Sequence, residues 1–104
     1  MTFDVSFSYA AENDLLRLYD YLLEAAESLD DLRRPEMAMT AIRAAVFSHL
    51  SVTPFSFRKT GRSSTRRELI IPFGSTGYVA LYEIADPSRV VVLAVRHQRE
   101  QDYQ

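Results

Sequence analysis

The sequence has no cysteine, only three glycines and no long apolar run, and each absence excludes a class of protein. A chain without cysteine has no disulfide scaffold, no thiolate metal site and no cysteine nucleophile. A membrane-spanning helix needs about 20 consecutive apolar residues, and no run approaches that length. The first residues have neither a basic start nor a long apolar stretch, so we expect no signal peptide. These observations predict a cytoplasmic protein without a membrane-bound segment.

Recognisable catalytic and cofactor motifs are also missing. The sequence shows no glycine-rich phosphate loop, no spacing typical of metal ligands and no nucleophile elbow. Its two histidines, His49 and His97, lie far apart and on different predicted elements. We therefore expect no metal and no cofactor.

The length of 104 residues suits one domain spanning residues 1–104. Apolar residues make up 47% of the chain, which is enough for a core. A chain of this size buries its surface only marginally, so a bound partner could add to its stability.

Charge is unevenly distributed along the chain. Residues 1–56 contain four Arg or Lys against nine Asp or Glu, and residues 57–104 contain eight against five. A basic half suits an anionic partner, either a nucleic acid or an acidic peptide, although a solvated loop would look the same. The basic run consists of Arg58, Lys59, Arg62, Arg66 and Arg67.

Hydrophobic periodicity predicts an α+β fold with the order β-α-α-β-β-β, a helical hairpin packed on a mainly antiparallel sheet. The pattern leaves the position of the first strand in the sheet open. The predicted elements are a strand at 3–8, helices at 9–29 and 35–50, and strands at 66–72, 77–85 and 89–97.

The last two predicted strands are apolar on both faces. In one, Val79 and Leu81 alternate with Tyr78 and Ala80; in the other, Val91, Leu93 and Val95 are expected opposite Val90, Val92 and Ala94. Two helices can cover one face of a sheet but hardly both. The second face is covered either by the loop at 55–65 and the chain ends or by a partner segment.

Three residues of the second helix need an interpretation. His49 falls on the predicted apolar face with Ala38, Ile42 and Ala45, which favours an interior or boundary histidine over a catalyst. Phe47 falls roughly opposite, near Arg43. An exposed aromatic is normal on a surface, but this one could belong to a partner surface.

The last strand leads into a polar cluster: Arg96, His97, Arg99, Glu100, Asp102 and Tyr103. Such a cluster could cleave RNA, with His97 as acid or base, Arg96 and Arg99 neutralising phosphate, and Tyr103 stacking on a base. The acids beside them would repel an RNA backbone.

Three blocks of this sequence resemble the RelE/ParE family of bacterial toxins, and the resemblance covers nearly the whole chain. The blocks are Ala11 to Leu15 followed by Tyr19-Asp-Tyr21, then Arg67-Glu-Leu with Gly77-Tyr-Val-Ala-Leu-Tyr82, and finally Arg96-His-Gln-Arg-Glu-Gln-Asp-Tyr103. The resemblance implies a toxin of a type II toxin–antitoxin system, held inactive by the C-terminal segment of an antitoxin.

The resemblance further implies a choice between two branches. RNA-cleaving, ribosome-dependent members resembling RelE have arginines where this chain has Val79 and Gln98, and lysines where it has at best Lys59. ParE-like members lack that set and are associated with inhibition of DNA gyrase. We therefore favour a ParE-like toxin that acts by binding gyrase. The alternatives are a RelE-like mRNA endoribonuclease using the ribosome, or a non-toxic member that binds its antitoxin.

The sequence assigns candidate residues to each surface. The target-binding candidates are Arg96, His97, Arg99, Asp102 and Tyr103, and the same set without Asp102 would be catalytic in a nuclease. The antitoxin-binding candidates are Arg58, Lys59, Arg62, Arg66, Arg67, Arg43 and Phe47.

Overall fold

A computed structural model describes residues 2–103. In chain order the elements are β1 (Asp4–Phe7), α1 (Tyr9–Glu24), α2 (Arg34–Leu50), β2 (Arg58–Lys59), β3 (Arg66–Phe73), β4 (Thr76–Asp86) and β5 (Arg89–His97). Short 3₁₀ turns at Asp31–Arg33 and Pro54–Ser56 precede α2 and β2. The expected order of elements is confirmed, with the two-residue β2 as an addition. No helix of the described residues is both long and apolar enough to span a membrane.

The five strands form one mixed sheet in the order β1-β5-β4-β3-β2. The pairs β2/β3, β3/β4 and β4/β5 are antiparallel, whereas β1 pairs in parallel with β5. The helical hairpin carries the chain from β1 at one edge of the sheet to β2 at the other edge. The first strand, whose place the sequence left open, therefore lies at one edge, and β5 is an interior strand.

Helix α1 starts as predicted but ends five residues early. The Ser8 hydroxyl caps its first turn by accepting from the Ala11 amide at 3.1 Å. Beyond Glu24 the polar side chains bond to the backbone: Asp31 accepts from the Glu27 amide, and the Ser28 hydroxyl accepts from the Asp31 amide. Such bonds compete with helical ones, so the predicted extension to residue 29 is wrong.

Helix α2 buries a stripe rotated from the predicted one. Ala38, Ile42, Val46 and Leu50 are fully buried, each four residues after the last. His49 is therefore exposed and not interior; its ring stands edge-on to Phe57 at 5.7 Å between centroids. Ala38 and Ile42 are buried as predicted and Ala45 packs against the core, so the predicted face is wrong only at His49, whose place is taken by the buried Leu50.

The two helices cover one face of the sheet, and the hydrophobic core lies between the helices and that face. On β4 the predicted alternation is confirmed, with Tyr78, Ala80, Tyr82 and Ile84 in the core. The Tyr82 hydroxyl donates to the Pro54 carbonyl at 2.5 Å, and burial raises the pKa of this phenol to about 12.

On β5 the predicted alternation fails after Leu93. A bulge places Tyr82 opposite Val92 but Leu81 opposite Ala94, so Leu93 is the extra residue. Val95 consequently joins the core, and Ala94 turns to the face opposite the helices, which we call the outer face. Every residue of β5 after the bulge therefore lies on the face opposite to the one that regular alternation would give it.

Candidate functional site

The bulge divides the predicted polar cluster between the two faces of the sheet. Arg96 pairs in register with Val79 on the outer face, whereas His97 pairs with Tyr78 on the helix side. His97 stands edge-on to Tyr78, with 5.5 Å between ring centroids. The structure therefore does not bring His97 together with Arg96 on one surface.

Both ring nitrogens of His97 are engaged. Its Nδ1 accepts from the Arg99 amide at 3.1 Å, so in the neutral ring Nε2 carries the proton and donates to the Thr76 hydroxyl at 3.1 Å. Burial and the positive charge of Arg99 lower the pKa of His97, and Glu100 partly opposes them. The geometry and the pKa together favour a neutral imidazole with a fixed tautomer.

A cleft of about 520 Å³ opens on the helix side beside His97. We call it the helix-side cleft. Its wall combines three arginines with aromatic and aliphatic side chains from α1, β3, β4 and β5. The lining residues are Arg17, Leu18, Tyr21, Leu22, Arg34, Phe73, Thr76, Tyr78, His97, Arg99 and Glu100.

The three arginines of the cleft have different surroundings. Arg17 is 3.0 Å from the Glu100 carboxylate and 3.9 Å from Asp14. The Arg34 guanidinium lies over the Phe73 ring, 5.4 Å from its centroid. Arg99 is exposed on the turn after β5. Among residues 2–103, neither Arg34 nor Arg99 forms an ion pair.

On the outer face the terminal tail, residues 98–103, folds back across the sheet. The Tyr103 hydroxyl donates to the Glu68 carboxylate of β3 at 2.5 Å, and the Arg96 guanidinium of β5 lies 5.2 Å from the Tyr103 ring centroid. Because β3 and β5 flank β4, the contacts of Tyr103 with Glu68 and Arg96 together bridge β4. Val79, directly between these strands, is only 1% exposed. Burial and the bond to Glu68 raise the pKa of Tyr103 strongly.

Glu100 holds the turn that connects the two surfaces. Its carboxylate accepts from the His97 amide at 2.8 Å and from Arg17 at 3.0 Å, and its carbonyl accepts from Arg96 at 2.7 Å. The tail is thus fixed by one residue to helix α1 on one side and to the outer face on the other.

Sequence reasoning missed the structural roles of three acids. Asp14 is 7% exposed and accepts from the Val95 amide at 2.8 Å, just after the bulge. Glu68 is shared by Tyr103 and Arg58, and Glu100 fixes the turn. For Asp14 a signal was available, since it is a carboxylate inside the apolar stripe of α1; the other two depend on contacts between distant segments.

The basic run is not uniformly available to a partner. Arg67 is 8% exposed and donates to the carbonyls of Ser64, Phe55 and Phe57, so it holds the loop before β3 in place. It is not a surface cation, contrary to its expected place in the partner surface, because odd-numbered residues of β3 face the core.

The remaining basic residues stay exposed. Arg58 and Arg66 pair with Glu68 and Glu83. Lys59 and Arg62 form no ion pair with any residue of the described range 2–103.

Arg43 and Phe47 lie side by side on α2. Arg43 is bound by both oxygens of Glu12, at 3.2 and 2.9 Å, and stacks over Phe7 at 5.0 Å. Phe47 packs on the same ring at 6.0 Å and stays 44% exposed. This pair is attached to β1, away from the basic run.

One edge of the sheet is open beside α2. Strand β2 pairs only with Arg67 and Glu68, so the edge of β3 from residue 69 to 73 has no strand beside it in the described part of the chain. Ile70 on this edge is 41% exposed. A shallow groove next to it is lined by Glu36, Met37, Thr40, Ala41, Ala44 and Phe73.

Metal binding has no support in the arrangement of side chains. Across residues 2–103 no group of three or more His, Asp or Glu residues is placed to hold a metal ion.

The helical hairpin on a five-stranded sheet defines a small α+β protein with an open sheet edge. Comparison with known proteins identifies its family. The family model described as the ParE toxin of the type II toxin–antitoxin system parDE matches residues 5–102. The chain therefore belongs to the ParE toxin family. A solved structure entitled "Chromosomal ParDE TA system from P. aeruginosa" matches with a TM-score of 0.69 and 15% identity, covering 91% of this chain and 95% of that one. No curated protein sequence matches significantly.

Proposed function

We propose that this ParE-family toxin acts by binding DNA gyrase, without a catalytic step of its own, and that a cognate antitoxin neutralises it. The observation that carries the first part is the separation of His97 from Arg96 and Tyr103 by the sheet. An RNA-cleaving site needs an acid, a base and cations converging on one phosphate.

The outer face adds a second argument against cleavage of RNA. Val79 stands where the RelE-like relatives have an arginine, and it is only 1% exposed beside Arg96, whose guanidinium lies against Tyr103. Glu68, which binds the Tyr103 hydroxyl, adds a negative charge to the same face and would repel a phosphate. Both observations argue against the endoribonuclease alternative.

The surface proposed to contact gyrase is the terminal tail. Arg96, Tyr103 and Glu100 hold it in one conformation, which leaves Arg99 and Asp102 exposed. The tail would thus present charges on a preorganised segment, which reduces the entropy lost on binding.

Induced expression with separate readouts of DNA replication and translation tests this proposal, together with supercoiling by purified gyrase. Replication should stop before translation. The triple variant Arg99→Ala/Asp102→Ala/Tyr103→Ala, which keeps Glu100, should lose toxicity, whereas the control Gln98→Ala/Gln101→Ala should keep it. Truncation after Arg96 should also abolish toxicity.

A substitution at His97 separates binding from catalysis. His97→Gln should leave toxicity largely intact, since a binding surface needs no group that titrates near pH 7. A nuclease using His97 would lose about 10²–10⁴-fold of its rate. Codon-specific mRNA cuts that disappear in this variant would establish the endoribonuclease and refute the gyrase proposal.

For the antitoxin we propose an acidic and apolar segment. The open edge of β3 offers backbone groups for strand addition, and the groove beside it offers Met37 and Phe73 to apolar side chains. Lys59 and Arg62, which have no ion pair in residues 2–103, supply positive charge in the neighbouring loop and strand.

Association kinetics test the charged part of this proposal. Lys59→Glu/Arg62→Glu should slow binding of the neighbouring gene product markedly at low salt, because charge complementarity mainly raises the association rate. The matched control is the single variant Arg33→Glu on the helical hairpin. It changes the net charge as much as Arg62→Glu alone but should leave the association rate unchanged. An unchanged rate in Lys59→Glu/Arg62→Glu would exclude these two residues. A saturating antitoxin should also raise the melting temperature, because a hundredfold excess over Kd adds about 2.7 kcal/mol.

A further inference from the structure

We propose that the helix-side cleft binds a nucleoside monophosphate, through its phosphate at Arg34 and Arg99 and its base at Tyr21. This inference does not rest on the gyrase or antitoxin proposal, although Arg99 also belongs to the tail proposed to contact gyrase. It starts from the two cleft arginines that form no ion pair in residues 2–103, which lie on elements far apart in sequence, the first turn of α2 and the turn after β5.

The charge of the cleft matches a phosphate monoester. Glu100 is 3.0 Å from Arg17 and compensates it, which leaves the charges of Arg34 and Arg99 in excess. A phosphate monoester carries a charge of about −1.5 to −2 at neutral pH. Guanidinium groups bind phosphate oxygens through pairs of parallel hydrogen bonds, and the Thr76 hydroxyl lies in the same wall.

The remaining wall suits a planar ring. Tyr21 is 68% exposed at the mouth of the cleft, and Phe73 already carries the Arg34 guanidinium on its face. Bases stack readily on exposed aromatic side chains and on guanidinium planes. The cleft volume of about 520 Å³ falls within the usual range for small-molecule sites of roughly 300–1,000 Å³.

The surroundings favour a mononucleotide over a nucleic-acid strand. The cleft opens near the end of α1 and the hairpin turn, which carry the acids Asp20, Glu24, Glu27, Asp30 and Asp31. These carboxylates would repel the further phosphates of an oligonucleotide. A single phosphate confined to the cleft avoids them.

Calorimetric titration of the purified chain at low salt tests the proposal, with AMP, adenosine, inorganic phosphate and a tetranucleotide as probes. AMP should bind at least about tenfold more tightly than adenosine or phosphate, because it alone engages both parts of the cleft. Arg34→Gln/Arg99→Gln should weaken AMP binding by at least about tenfold. Arg33→Gln/Arg62→Gln changes the net charge equally outside the cleft and should leave the affinity unchanged.

A second variant examines the base. Tyr21→Leu should reduce the affinity for AMP toward that of phosphate, and because Tyr21 is exposed the folded structure should be kept, as melting without ligand would verify. Equal weakening by the two charge variants would reduce the effect to net charge and overturn the proposal. So would tighter binding of the tetranucleotide, equal binding of phosphate, or no heat with millimolar AMP.

Discussion

The helix-side cleft and the outer face lie on opposite sides of the same strands, yet their charged groups are engaged differently. On the outer face Arg96 is bound by backbone carbonyls and stacks on Tyr103, whose hydroxyl bonds to Glu68. In the cleft only Arg17 is compensated by an acid, and the charges of Arg34 and Arg99 have no such partner among residues 2–103. The tail thus engages the charged groups of the outer face around Tyr103, whereas two arginines of the cleft remain available to a ligand.

This difference shows how a one-residue bulge turns a cluster in the sequence into two sites. Arg96 and His97 are adjacent in the chain, so they face opposite sides of β5, and the bulge at Leu93 decides which side each one takes. Helix α1 then fixes the register after the bulge through Asp14, and the Glu100 turn fixes the tail.

Removing the Asp14 carboxylate should have the largest effect on stability. Asp14 fixes the register of β5 after the bulge, and this register assigns Arg96 to the outer face and His97 to the cleft. Asp14→Ala leaves the buried Val95 amide without an acceptor, which costs about 2–3 kcal/mol of unfolding free energy. Urea unfolding measures this loss. Asp14→Asn keeps a carbonyl oxygen at the same position and should lose clearly less. A loss below about 0.5 kcal/mol in Asp14→Ala would show that Val95 finds another partner and that Asp14 does not hold the bulge.

The sequence was sufficient for the fold class and the order of the main helices and strands because those signals are local, whereas the place of β1 in the sheet, the short β2 and the bulge needed the structure. The cap at Ser8, the periodicity of α1 up to Leu18 and the alternation along β4 each depend on near neighbours. The exact end of α1 was not predictable from apolar spacing, since Leu29 continues the pattern although it is 83% exposed.

The sites depend on contacts that no local pattern encodes. The pairing of Tyr103 with Glu68 joins residues 35 apart, and Arg17 with Glu100 joins residues 83 apart. The bulge has no signature within Val90-Val-Val-Leu-Ala-Val95, because every residue there is apolar and fits either face. The predicted cluster therefore contained the right residues, and their division between two faces needed the structure.

Loss of the Tyr103 hydroxyl should have a smaller effect, confined to the outer face. Tyr103→Phe removes a hydrogen bond to a partly exposed carboxylate, and we expect a loss of about 1 kcal/mol near pH 7. Because the folded state raises the pKa of Tyr103, it keeps a proton that the unfolded chain loses above pH 10. Its stabilising contribution is therefore complete below pH 10 and is lost as the pH rises further.

Denaturant unfolding between pH 7 and 11 measures this contribution. The stability difference between the wild type and Tyr103→Phe should shrink above pH 10, while the pKa of Tyr82, raised to about 12, affects both proteins alike. A difference independent of pH would mean that the bond to Glu68 does not hold the Tyr103 phenol, and the position of the tail on the outer face would then need another explanation.

The smallest expected effect is the shift in the pKa of His97, which tests whether the imidazole in the cleft wall is neutral. Burial and the charge of Arg99 lower this pKa, so the midpoint of an NMR titration should fall below the ordinary value of 6.5. Arg99→Gln should move it up, and Glu100→Gln should move it further down, because Glu100 acts in the opposite sense.

Since the folded state binds the proton less readily than the unfolded chain, the contribution of His97 to stability is complete above pH 6.5 and declines as the pH falls below it. His97→Gln should lack this decline. A midpoint above 6.5 in the wild type would mean that Glu100 outweighs both burial and Arg99, and the imidazole beside the cleft would then carry a positive charge in the range where we infer a neutral ring.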